Sequence, residues 1–115
     1  MRRAPSELAF ELKEIITLLE TSLFREAREV TAERICDWCH SFDRREVRVV
    51  AALLSSAAVV ETDRDCRESQ LNALSELTAS GLVEAEDLAP LRELRRDVLT
   101  KADAEHYDYL VSEYF

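Results

Sequence analysis

Residues 43–60 read DRREVRVVAALLSSAAVV, and this stretch decides the fold. Asp43 and Glu46 have the spacing of a capping box, with Asp in place of Ser or Thr. Behind them Val47, Val50, Ala51, Leu54, Ala57 and Ala58 recur every three or four positions, the period of a helix. From Val49 to Val60 there is no charged residue, so this helix is expected to be central. The run is too short to cross a bilayer and contains Ser55 and Ser56.

Toward the N-terminus, Ser41-Phe42-Asp43 reads as a turn. A helix is expected before it, ending near His40, with Ala27, Val30 or Thr31, Ile35 and Trp38 inward. Thr21-Ser22 separates it from a first helix capped by Ser6 and striped by Leu8, Leu12, Ile15, Ile16, Leu19 and Leu23. Toward the C-terminus, Glu61-Thr62-Asp63 closes the central helix. Asp63 or Asp65 caps a fourth, with Leu71, Leu74 and Leu77 inward. Gly81 sits where a helix end needs positive φ, and Leu82-Val83 should fold back on it.

A fifth helix is expected from Glu86-Asp87, with Pro90 tolerated in its first turn and Leu88, Leu91, Leu94 and Val98 buried. Thr100 and Asp103 have capping-box spacing. They open a sixth helix whose apolar stripe is Ala104, Tyr107, Val111 and Tyr114. The expectation is a single all-α domain over 1–115 with about six antiparallel helices. These would stack as hairpins in a short solenoid or close into a compact bundle.

Composition agrees. One glycine, two prolines and a single asparagine leave little for the turns a sheet protein needs. The chain is 47% hydrophobic, too apolar for a disordered segment. Glu7, Glu11, Lys13 and Glu14 interrupt the stretch that a secretory signal would keep apolar, so a cytoplasmic location is expected. Three cysteines do not suggest a disulfide framework.

The net charge of −9 is unevenly spread. Residues 1–60 hold ten acidic and nine basic side chains, a net of −1, whereas residues 61–115 hold fourteen and six, a net of −8. Repulsion disfavours a phosphate backbone, so no nucleic-acid partner is expected. A basic protein partner is favoured, because complementary fields speed encounter. On the last helix Glu105, Tyr109 and Glu113 fall four apart with Asp108 and Ser112 beside them, an exposed aromatic among carboxylates. Glu84, Glu86 and Asp87 extend this candidate partner-binding surface. The reading requires those carboxylates to stay unneutralised. Arg44, Arg45 and Arg48, and Arg92, Arg95 and Arg96, are expected to pair with nearby acids along helix surfaces.

Catalytic patterns are missing. One glycine cannot build a nucleophile elbow or a phosphate loop, and paired Glu-x-x-His motifs do not occur. No enzymatic activity and no cofactor is expected. Cys36-Asp-Trp-Cys39-His40 matches the pattern of covalent haem attachment, but no export signal accompanies it. Cys36, Cys39, His40 and Cys66 are the candidate ligands of a metal-binding alternative. Cysteines near a helix C-terminus have no dipole to lower their pKa, which disfavours redox chemistry. A homodimeric structural or regulatory subunit is a further alternative to a monomeric binding module.

Residues 65–77, DCRESQLNALSEL, resemble a helix of HEAT-type repeats. With Leu88–Leu94 and the acidic, aromatic Glu105–Tyr114, residues 43–115 resemble small acidic helical immunity proteins of bacterial toxin systems. That resemblance implies a HEAT-like fold and binding to a cognate toxin domain in the cytoplasm. Toxin nucleases are commonly basic, which an acidic inhibitor would suit.

Overall fold

The computed structural model describes residues 25–115; the first helix expected from sequence and the inward placement of Ala27 lie outside what it describes. Four α-helices follow: α1 (Arg25–Trp38), α2 (Arg44–Val60), α3 (Arg64–Thr78) and α4 (Lys101–Tyr114). Shorter 3-10 segments run over Cys39–Ser41, Ala85–Glu93 and Arg96–Val98, and no strand occurs among the described residues. The protein is all-α.

The helix starts are fixed by side chains. Asp43 accepts from the Glu46 amide at 2.9 Å, and the Glu46 carboxylate accepts from the Asp43 amide at 2.8 Å, completing the expected capping box. Asp63, rather than Asp65, caps α3, accepting from the Cys66 amide at 2.8 Å. Thr100 and Asp103 form a second box at 3.1 and 3.4 Å. Each such cap contributes about 1 kcal/mol. Gly81 has φ 76°, and its amide donates to Thr78 O at 3.1 Å, so the turn after α3 uses the freedom of glycine. Val83 then folds back into the core.

The core is continuous. Ile35 comes from α1, Val47, Val50 and Leu54 from α2, and Leu71, Leu74 and Leu77 from α3. Leu88 and Leu91 come from the 3-10 run and Leu110 from α4, and all ten side chains have no exposed surface. Burying each contributes about 1.5–3 kcal/mol. α3 is the hub, packing on α1, α2 and α4, while α2 also packs on Ala85–Glu93. α1 packs on α3 across the sequence of α2, and the described helices pack as an all-α bundle.

Two expectations are corrected. The fifth helix is not α-helical. The segment starts at Ala85, so Pro90 is its sixth residue, and in an α-ladder its ring would meet the Glu86 carbonyl. The chain takes 3-10 turns instead and turns extended at Leu94 and Arg95, which brings Val98 out to 45% exposure instead of burying it. On α4 the fully buried residues are Asp103 and Leu110, and the expected stripe of Ala104, Tyr107, Val111 and Tyr114 is half-buried. On α1, Thr31 is buried and Val30 exposed.

Candidate anionic protein interface

The polar junction beneath the surface comes first, because it sets which charges face out. Glu61, just past the end of α2, is almost fully buried. Its carboxylate accepts from Arg28 Nε and Nη2 at 2.7 and 2.8 Å, from the Thr62 and Asp63 amides at 3.1 and 3.0 Å, and from Gln70 Nε2 at 3.0 Å. Burial pushes the Glu61 carboxyl up, but the Arg28 guanidinium and the Asp63 amide outweigh it and bring the pKa down to about 2. The same carboxylate holds the Arg28 guanidinium above its ordinary value. Arg67, also buried, donates to Glu61 O and Val98 O. The Arg28 and Arg67 guanidiniums are therefore held at this junction.

The outer sides of α1 and α3 carry rows of carboxylates, alongside Arg34 and Arg64. Glu29, Glu33 and Asp37 are spaced four apart, on one side of α1. On α3, Asp65, Glu68, Asn72 and Glu76 share a face, at spacings of three and four. The two helices pack together. Glu29, Asp65, Glu68, Ser69 and Asn72 line one polar concavity of about 380 Å³, closed on its third side by His106 of α4. His106 Nδ1 lies 3.3 Å from Ser75 Oγ. Asn72 donates to Cys36 Sγ at 3.6 Å, which joins the concavity to the α1 cysteines. Burial, and then the Glu76 carboxylate, push Cys36 up to about 11 and raise Cys39 as well.

The surface expected from sequence is divided by the structure. Glu84, Tyr109 and Glu113 lie near enough to Tyr114 to act on its phenol, which is raised by burial and then by the charges of Tyr109, Glu113 and Glu84. Tyr109 is 44% exposed, and Glu84, Glu105, Ser112 and Glu113 are exposed. His106, Tyr109 and Glu113 are three and four apart, so this patch continues from the concavity along one face of α4. Glu86, Asp87 and Asp108 bond arginines of the same chain. Arg48 bonds both Glu86 and Asp87, and Asp87 is buried, accepting from the Glu84 amide at 2.9 Å. Arg96 takes Asp108, lowering its carboxyl through that hydrogen bond. The arginine pairing expected along the surface is found at these positions.

The α1–α3 carboxylates do not stand out in sequence, because α1 falls in the half of the chain whose net charge is only −1. Residues 25–38 hold four acidic and three basic side chains, nearly balanced in sequence, and only folding turns the Arg28 side chain to Glu61. The alternating acids of α1 and α3, each on one helical face, were the available signal.

The candidate metal ligands do not gather at one place. Cys39 Sγ donates to Cys36 O at 3.2 Å, and His40 is exposed in the 3-10 turn. Cys66 is buried at the start of α3, where burial and Glu61 push its thiol up to about 12. Cys36 meets Asn72, six residues further along α3, about 9 Å at 1.5 Å per residue. Among the described residues no three His, Cys, Asp or Glu side chains are grouped to hold a metal ion. Among the same residues no helix is long and apolar enough to cross a membrane. Comparison with protein families, curated proteins and solved structures found no match to this chain.

Proposed function

We propose that this chain is a non-catalytic interaction module that binds a basic protein through the anionic surface of α1, α3 and α4. The observation that carries the reading is the concavity where Glu29, Asp65 and Glu68 meet beside His106. It is polar, it is lined from three helices that pack together, and Arg28, bonded to buried Glu61, is not in its lining. The patch of Glu84, Glu105, Tyr109, Ser112 and Glu113 continues it and supplies an exposed aromatic to anchor the partner. The field of the surface speeds encounter, and Tyr109 fixes register. The most specific form of the reading is neutralisation of a basic toxin domain, in line with the resemblance to immunity proteins. The test is the association rate with a partner captured from the source cell, measured from low to high salt. The rate is expected to fall at least about tenfold. A rate unchanged across that range would remove electrostatic steering from the account.

A further inference from the structure

At the opposite chemical extreme from the anionic surface lies a groove at the N-terminal end of α2. It is lined by Arg44, Arg45, Arg48, Val49, Ala52 and Asp87 and encloses about 540 Å³. Its floor is apolar, with Val49 39% exposed and Ala52 half-buried. Its rim is cationic. Arg48 is already held by Glu86 and Asp87, which fixes one wall. Arg44 and Arg45 are exposed and take no ion-pair partner among the described residues, in a chain whose net charge is −9. From Val49 the outer side of α2 runs on through Ser56 to Val60, exposed and uncharged.

We propose that this groove docks an acidic amphipathic helix from a partner protein. Two carboxylates of that helix would meet Arg44 and Arg45, and its apolar stripe would lie on Val49 and Ala52. Charge complementarity selects the occupant. Two guanidiniums with no ion-pair partner among the described residues, beside an apolar floor, match a short segment bearing both carboxylates and apolar side chains. A second copy of the chain fits poorly, because its exposed anionic surface is polar, centred on Ser69, Asn72 and His106. A phosphate backbone has no apolar stripe to cover Val49 and Ala52, and an anionic membrane spreads its charge far beyond the two guanidiniums that could balance it. The docking site is separate from the surface proposed to bind a basic partner, so one module would hold two partners of opposite charge.

The probe is a fluorescein-labelled helical peptide of roughly 18 residues, with leucines at helical spacing and two glutamates beside that stripe. Its anisotropy is followed with the full chain. Binding is expected, and Arg44→Glu/Arg45→Glu and Val49→Asp should each weaken it at least about tenfold. Both changes fall on exposed side chains, and circular dichroism checks that the helices persist. A peptide with lysines in place of the glutamates should not bind. Equal binding of the two peptides, or affinity untouched by either variant, overturns the proposal. So does binding of phosphatidylserine vesicles without the peptide, which would make the groove a lipid site. A concentration-dependent dimer abolished by Val49→Asp would assign it to a second copy and equally overturn the proposal.

Discussion

Arg28 on α1 and Glu61 beyond the end of α2, 33 positions apart, are joined side-on by two parallel hydrogen bonds of 2.7 and 2.8 Å. This is the geometry in which a guanidinium and a carboxylate bind most strongly. Glu61 is buried, so removing Arg28 strands its charge and removing Glu61 strands the donors aimed at it. Glu61→Ala should cost about 3 kcal/mol of unfolding free energy in urea titrations. A loss below about 0.5 kcal/mol, the level of an ordinary surface pair, would contradict the burial argument.

The same pair sets an acid limb for stability. In the unfolded chain the Glu61 carboxyl titrates near 4.5, and in the fold near 2. As pH falls the unfolded state takes up the proton first, so it gains relative to the fold. The stabilisation is complete above pH 4.5 and is lost as pH falls toward 2. It amounts to about 2 kcal/mol after allowing for solvent around the partly exposed Arg28. Unfolding of wild type and Glu61→Gln should be compared at pH 7, 4 and 3. The gap between them should narrow in acid; a constant gap would mean that Glu61 is not the titrating group.

Much of this fold was legible in the sequence, for a local reason. The α2 boundary follows from Asp43, Glu46 and an uncharged apolar run, all within one segment. The 3-10 run was not legible, because it depends on where the segment begins. A start at Ala85 instead of Glu86-Asp87 moves Pro90 from a tolerated position to one that blocks an α-ladder. The site divides in the same way. Tyr109 and Glu113 were readable from spacing on one helix. That Arg48 crosses to Glu86 and Asp87, and that Arg28 turns to Glu61, depends on side chains brought together across 33 to 39 positions.

The corrected segment makes a prediction that separates the two arrangements. Leu91 has no exposed surface and Val98 is 45% exposed. Leu91→Ala should therefore cost about 2–5 kcal/mol through the cavity it leaves. Val98→Ala should stay within about 0.5 kcal/mol. Comparable losses at both positions, read from thermal melts, would restore the single α-helix expected from the apolar spacing.

Gly81→Ala isolates backbone strain from packing. An added Cβ would meet nothing within 4 Å, so no clash contributes. The φ of 76° remains, and a residue with a side chain is disfavoured there. The variant should lose about 1 kcal/mol in urea titrations. A gain in stability would show that the turn after α3 takes a different backbone path.

The division of the acidic surface yields the most direct test of the proposed interface. Glu86 and Asp108 are already bonded to Arg48 and Arg96, so their charges are largely spent within the molecule. Asp65 and Glu68 face the concavity. Reversing both, as Asp65→Lys/Glu68→Lys, should slow association with a basic partner at least about tenfold, because long-range attraction acts on the on-rate. Reversing Glu86 alone should change the rate less than about twofold at the same salt, its effect being confined to the release of Arg48. Asp65 stands outside the Asp63 cap and Glu68 on the helix surface, so circular dichroism should show α3 intact in the double variant. If Glu86→Lys slows association as much as the double reversal, the binding surface lies on the 3-10 run and α4, and the concavity is only a solvated face.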